Sequence, residues 1–540
     1  MNVINVNPVP DYEVVAGTVY MIDGSGNAAF SKKDILLVPT PSSDLEDPLR
    51  WSRWRKGYHL LLLVAYSSLM GAITNWSSVI YVVLAQVYET TIANLSIGLA
   101  LCLLMLGVAN VFLIPLSNKL GRRATYNWSL LFVLGAEVWL ARSKSIGDFQ
   151  GAHVLLGIGA APFEALVPVS VSDTYYAHER GTRLAYYVFG LAFGSLVGPI
   201  CAGYMVTSQG WEWIYWWGVI LTGLLTFLFF FTFEETYFER SADLHEAAQS
   251  LHVRKVEEMN PEDYETKEAM EGEQIHYATS GPKVGDILDT TKFRLQFSFF
   301  KLFPTTWSTV LNDFWRPLKV CSLPAIIWCG VNYGTCVSWL AVMGTTVAAT
   351  LAPPPYLFSN SQIGLFWIAP LIGAIIGAIY SGTVTDRFVL LDVQSKPWIQ
   401  RAEFRLWSCL PAAIIFPAGL MLYGIGAARG MAWIVLFVGG GLIGFGLSVG
   451  GSVSMAYTLD CYKEIDTQAI TTIILIRNVV GFAITWAIQP WINNMGKQNA
   501  FIVVGCLAFT ITGASVIFIF FGKSMRKWTE PRYAKLAAQR

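Results

Sequence analysis

Charge is scarce in this sequence. Only 14% of its 540 residues are charged, against about 25% in a soluble globular chain. Lys+Arg and Asp+Glu both number 37, so the formal net charge is zero; no overall field draws nucleic acid, and none is expected as a partner. The six histidines (His59, His153, His178, His245, His252 and His276) show no metal-ligand spacing, and no metal is expected. The eight cysteines (Cys102, Cys201, Cys321, Cys329, Cys336, Cys409, Cys461 and Cys506) sit in or at the ends of apolar stretches, which suits small buried hydrophobes and excludes a disulfide framework. No apolar segment opens the chain, so no cleavable signal peptide is expected, and residues 1–49 read as a polar tail. Gly446-Leu447-Ser448-Val449-Gly450 matches a hydrolase elbow but lies in a glycine-rich helical stretch without a paired His and Asp. Gly522-Lys523-Ser524 lacks the upstream glycine of a phosphate loop. Enzymatic activity, ATP drive and a cofactor are therefore not expected.

Apolar length is what the chain has instead. It is 54% hydrophobic and 14% aromatic, with a mean hydropathy of +0.48. The apolar residues come in blocks of roughly 20, each about 30 Å long as a helix, which is the thickness of a bilayer core. Blocks fall at 58–83, 95–117, 124–141, 149–171, 184–206 and 213–233, then at 321–350, 361–384, 406–427, 431–457, 469–491 and 498–522. The expected fold is an all-α membrane protein of twelve transmembrane helices in two six-helix halves. The tail before the first span is taken to residue 57, the halves as 58–233 and 321–522, the central loop as 234–320 and the C-terminal tail as 523–540.

Basic residues set the orientation. Arg50, Arg53, Arg55, Lys56, Lys119, Arg122, Arg123, Arg180, Arg183, Arg387, Lys396, Arg401, Arg405, Lys463 and the cluster after Lys523 fall on one side, and only Arg142, Lys144, Arg429 and Lys497 on the other. Both termini are expected in the cytosol. Asn94-Leu95-Ser96 is a glycosylation sequon on the outer side, but it abuts the second span. The middle of the central loop is acidic and poor in aliphatics. Its end, with Phe293, Leu295, Phe297, Phe299, Phe300, Leu302 and Phe303 among Lys292, Arg294 and Lys301, reads as a segment lying on the inner leaflet.

The halves repeat each other. Asp173-Thr174-Tyr175 closes the fourth span and Asp460-Cys461-Tyr462 the tenth, while the turn LSNKLGRR after the second span corresponds to GTVTDRF after the eighth, Asn118-Lys119 aligning with Asp386-Arg387. A longer loop at 389–405 separates the two registers. Further signatures are DPLRWSRWRK before the first span, GIGAAPFEALVPVSVSDTYYAHERG through the fourth, GSLVGPICAG in the fifth, FEETYFER after the sixth, AEFRL at the ninth, and YTLDCY followed by RN at the tenth and eleventh. In their order and placement, across roughly residues 35–525, the sequence resembles the major facilitator superfamily, and within it the fungal twelve-span drug:proton antiporters that include polyamine and organic-cation carriers and secondary-metabolite efflux pumps. The resemblance implies alternating access, with substrate held at the midplane between halves.

It also implies roles for particular residues. Asn118, Gly121, Arg122 and Arg123 look like the superfamily's gating turn, with Arg122 expected to pair with Asp173; Asp386, Arg387, Glu403, Arg405 and Asp460 form the second copy. Asn118 stands where the family has an acid and Ile114 where it has a glycine, so the first latch is expected to be the weaker. Plain positive-inside topology is the alternative reading. Gly194, Gly198, Pro199 and Gly203 match the antiporter motif of the fifth span, which physically is a close-packed, bendable contact.

Glu164 is the residue singled out by position. An ionisable group near the middle of a span costs on the order of 2.5–3.5 kcal/mol to insert, so it is expected to face a cavity, carrying a proton or pairing with a cationic substrate; a packed, hydrogen-bonded Glu is the structural alternative. Arg477 and Asn478 form the other intramembrane polar pair, with an ion pair to Asp460 or another inner carboxylate weighed equally against a substrate role. His153 stands where the family carries a membrane arginine. Asn75, Trp76, Tyr81, Asn332, Tyr333 and Trp339 are candidates to contact substrate from the first and seventh spans.

The expected function is a proton-coupled transporter, acting as a monomer in the lipid bilayer, that exports a small organic compound such as a drug or fungal secondary metabolite. The plasma membrane is the expected site, with the vacuolar membrane as the alternative. Uptake of an organic cation or polyamine with Glu164 as counter-ion, and a non-transporting nutrient sensor, are the competing readings.

Overall fold

The computed structural model describes residues 18–20, 47–238, 303, 306–395, 399–462 and 465–538. The first span is α1 (Arg53–Asn75), a 3-10 helix over 76–80 and α2 (Tyr81–Val87). Then come α3 (Ile92–Leu120), α4 (Arg122–Ala141), α5 (Ile146–Ala160), α6 (Pro162–Thr174), α7 (Ala177–Gln209) and α8 (Glu212–Thr232). After the central loop follow α9 (Trp307–Val320), α10 (Pro324–Leu351), α11 (Asn360–Leu365), α12 (Ile368–Ser395), α13 (Cys409–Ala428), α14 (Trp433–Cys461), α15 (Asp466–Gly513) and α16 (Ser515–Ala537). A short antiparallel pairing joins β1 (Thr18–Tyr20) to β2 (Ile399–Arg401).

The boundaries have local causes. Thr91 and Ser145 cap α3 and α5 by accepting the backbone N–H of Asn94 and Asp148. Ser359 and Gln362 form a reciprocal capping box at α11. Pro162 occupies the first turn of α6, where its missing N–H costs nothing, and so marks the break after α5. Gly121 (φ 89) and Gly210 (φ 98) turn the chain between α3 and α4 and between α7 and α8.

Ten helical stretches among the described residues are long and apolar enough to cross a membrane. One of them runs 72 residues from Asp466 to Ala537. It folds back at Gly496 (φ 79): Gly330 on α10 meets Ile476, and Trp328 one half-turn earlier stacks on Phe518. Helix α4, with Arg122, Arg123, Asn127 and Glu137 in 20 residues, is too polar to be among the ten.

Several stretches extend beyond their apolar blocks. Helix α12 continues to Ser395, into the expected loop at 389–405, and α16 continues through the C-terminal tail to Ala537. Hydrophobicity marks where lipid begins, whereas backbone hydrogen bonding carries a helix on into water. The acidic middle of the central loop and the expected inner-leaflet segment lie outside the described residues, apart from Phe303. Next to it stands α9, whose Trp307, Leu311, Trp315 and Leu318 form one exposed apolar stripe. The cysteines divide: five are buried, but Cys201 and Cys506 are exposed, a departure from the expected burial.

Glycines bring helices into backbone contact. A Cβ on Gly194 would overlap Ser68 O of α1, one on Gly198 would lie 2.6 Å from Ala72 Cα, and one on Gly203 would lie 2.5 Å from Asn360 O of α11. The first two fuse α7 to α1; the third joins α7 to the second half. Helices α12 and α14 repeat the device, with Gly373 against Gly441 O and Gly444 against Pro370 O.

Candidate functional site

Glu164 opens α6 just after the Pro162 break, where it is 7% exposed. Its Oε2 accepts a 2.7 Å hydrogen bond from Asn478 Nδ2, and its Oε1 is in an ion pair with Arg477 Nη2. These partners lie on α15, more than 300 residues away and in the other half of the chain. Arg477 also donates to Asn478 Oδ1 at 3.3 Å and stands over the Tyr333 ring, 4.9 Å from its centroid. Tyr187 OH donates to the Glu164 carbonyl at 3.3 Å. Small residues make room: a Cβ on Gly334 would lie 3.0 Å from Arg477 Cα, and one on Gly107 would lie 2.8 Å from Asn478 Cβ.

The expected alternative partner of Arg477 is corrected. Asp460 pairs with Arg405 instead, because the end of α14 lies beside the start of the ninth span, whereas Arg477 is about three turns into α15 and faces α6.

The charged clusters collect at the end of the bundle where α1 and α4 begin, the tail face. Arg122 Nε meets Asp173 Oδ2 at 3.3 Å, and its Nη1 donates to Ser117 Oγ at 2.6 Å and Asn118 Oδ1 at 3.0 Å. Glu235 accepts the backbone N–H groups of Arg122 (2.8 Å) and Arg123 (3.2 Å), an acid on the positive end of α4. Burial pushes the Glu235 carboxyl up, against those backbone bonds. A side chain at Gly121 would overlap Glu235, so glycine is required there for fit as well as for its positive φ. Glu234 beside it takes Arg55 Nε at 2.8 Å, with His59 at 3.7 Å. Burial pushes Glu234 up, but His59 and Arg55 together outweigh it and hold the carboxyl below its usual range. In the second half Glu403 accepts Arg526 Nε at 3.1 Å. The side chains of Asp386 and Arg387 lie outside the described residues.

Other candidates are held locally. His153 is buried, its Nδ1 2.8 Å from the Phe149 carbonyl, and no hydrogen bond or ion pair joins it to Glu164 among the described residues. Asn75 donates to the Gly71 carbonyl and Asn332 to Ser454 Oγ, both at 3.0 Å. Trp76, Tyr81 and Trp339 are buried. Asn94 is exposed but helical, and Ser96 of its sequon is 1% exposed, with its hydroxyl on Ala93 O.

Two features were missed. Glu235 lies within FEETYFER, but nothing local says that it caps a helix more than 100 residues earlier. Glu137 is fully buried in α4, and neither carboxylate oxygen has a hydrogen-bond partner; a count of ionisable residues within apolar blocks would have found it. Among the described residues no group of His, Cys, Asp or Glu could hold a metal ion.

Residues 61–441 match the model of the Major Facilitator Superfamily. The chain belongs to this superfamily. An uncharacterized MFS-type transporter of Schizosaccharomyces pombe is 31% identical over 526 residues, covering 93% of this chain and 89% of that protein. Quinidine resistance protein 3 of Saccharomyces cerevisiae is 22% identical, covering 87% and 83%. The xylose transporter XylE from E. coli, in a partially occluded inward open conformation, shares the fold with a TM-score of 0.58 at 14% identity, covering 86% of this chain and 98% of its own. This superfamily member is thus a multi-pass membrane transporter and not an enzyme.

Proposed function

We propose that this chain is a proton-coupled carrier that exports a small, bulky, lipophilic organic compound from a fungal cell across the plasma membrane. Counting α4 and dividing α15 at Gly496 gives twelve spans, and the arginine-rich tail face is the cytosolic one. The observation that carries the reading is the buried contact of Glu164 with Arg477 and Asn478 between the two halves. A charge-assisted bond of this kind contributes about 1.5–3 kcal/mol, and removing one charge from a buried pair costs about 3–5 kcal/mol. Protonation of Glu164 cancels one charge while leaving the other on Arg477, so a single proton loosens the join and lets the halves rock. Arg477 then keeps the Tyr333 ring and Asn478, and the aromatic groups Tyr187, Tyr333 and Trp339 offer stacking surfaces for an apolar substrate. The arginine pairs at Asp173, Asp460 and Glu403 each lie within one half and brace its cytosolic end.

Export is supported by the similarity to a quinidine resistance protein. Uptake of a polyamine or other organic cation by Glu164 as counter-ion is disfavoured, because Arg477 already takes that charge. The test is accumulation of labelled lipophilic drugs, metabolites and polyamines in cells with and without the protein at two external pH values. Export predicts lower accumulation that reverses when the proton gradient is collapsed, and Glu164→Gln abolishes it with insertion and expression unchanged. Transport by that variant with its pH dependence intact would overturn the proton role.

A further inference from the structure

Glu137 has no part in the mechanism above, yet it is a charge-bearing group buried in the bundle without a hydrogen-bond partner. It lies one turn from the end of α4 remote from the tail face, fully buried. Both carboxylate oxygens lack a partner. Its seat is built by glycine: a Cβ on Gly218 of α8 would overlap Glu137 Oε2 and lie 2.8 Å from the Trp76 ring. Trp76 opens the 3-10 segment that interrupts the first span, and Ser77 of that segment is hydrogen-bonded to Tyr215 of α8, one turn before Gly218, at 3.1 Å. A stretch of 3-10 helix inside a span often marks a hinge or a strained sequence. The carboxyl is therefore closed in by the one irregular part of the first span.

No group on the packed helices compensates a charge there. Cys102 on α3 and Tyr215 on α8 face it, His153 on α5 and Glu164 on α6 are further titratable residues of the surrounding helices, and Arg142 at the end of α4 lies over the Trp216 ring of α8. His153 is committed to the Phe149 carbonyl and Glu164 to Arg477. An ionised carboxylate without a cation or a hydrogen-bond donor costs several kcal/mol in such a place, and the group escapes that cost by holding a proton.

We propose that Glu137 is a second proton-binding site, loaded in this conformation and opened to the outer solution when the Trp76 segment swings away from Gly218. It deepens the proton-coupled reading and rests on it for the direction of proton flow; its occupancy does not. In that cycle the bond broken is the carboxyl O–H and the proton passes to outer water, leaving the carboxylate, with no other reactant required.

Infrared difference spectroscopy of the purified full-length protein in lipid nanodiscs is the test. At neutral pH the wild type should show the C=O stretch of a protonated carboxyl, absent from Glu137→Gln and retained in Glu164→Gln. Carboxyl-labelled glutamate in the wild type should shift the band and labelled aspartate should not, which keeps the result independent of how well either variant folds. Trp76→Ala should speed deuterium exchange of the band about tenfold, as expected when local opening limits exchange. A spectrum without the band, or a band that survives Glu137→Gln, overturns the site; an exchange rate unchanged by Trp76→Ala overturns the lid. Because the band is read without transport, pH-dependent transport by Glu164→Gln would sink the Glu164 mechanism while leaving Glu137 standing.

Discussion

Buried charge is where single residues decide the behaviour of this protein. Glu164 and Arg477 were legible as intramembrane ionisable groups, because a run of apolar residues exposes any charge inside it. Their meeting was not, since a contact between residues more than 300 apart leaves no local pattern. Arg477→Lys is expected to lose most transport while keeping the positive charge: a lysine has neither the planar fork for both Glu164 and Asn478 nor the flat face over Tyr333. Restoration of wild-type transport by Lys would refute that geometry. At Gly218 the prediction concerns stability. Gly218→Ala drives a methyl into the Glu137 carboxyl and should destabilise by about 1–3 kcal/mol. Glu137→Ser in the same chain should recover most of this, measured by thermal unfolding in detergent.

At the scale of helices, sequence located most apolar blocks to within a few residues but misjudged how far helices run outside them. Residues 385–395 and 523–537 are helical yet polar, so hydropathy alone could not include them. The glycines of α7 were noted as a packing motif, and the structure assigns their partners, Ser68 and Ala72 of α1. Gly194→Leu should separate α7 from α1 and abolish folding or transport, whereas Gly210→Ala, beyond the helix with no atom near its Cβ, carries only the strain of its positive φ. A Gly194→Leu protein with wild-type melting would contradict the close contact. The clasp between α1 and the end of α8 predicts a pH effect. Glu234 is held below the usual carboxylate range when folded, so its contribution is present above pH of about 4.5 and is lost as pH falls through the lowered folded value. The stability gap between wild type and Glu234→Gln should therefore shrink in acid; a gap that stays constant from neutral pH to below 4 would exclude the pairing.

Seen whole, the molecule is two related halves with matched chemistry on one face and unmatched chemistry at the centre. Arg122 with Asp173 and Arg405 with Asp460 occupy corresponding places, which the repeated Asp-x-Tyr had signposted. The central join is different in kind: one half supplies an acid, the other a guanidinium and an amide. That difference gives the two halves a lock-and-key identity. If residues 1–238 and 306–540 were expressed as separate polypeptides, two copies of the first would bring acid against acid and two copies of the second would bring base against base. Only the mixed pair can close its interior without an orphaned charge, so the chain's own chemistry sorts its halves, and co-expressed fragments should be recovered together far more readily than either with itself.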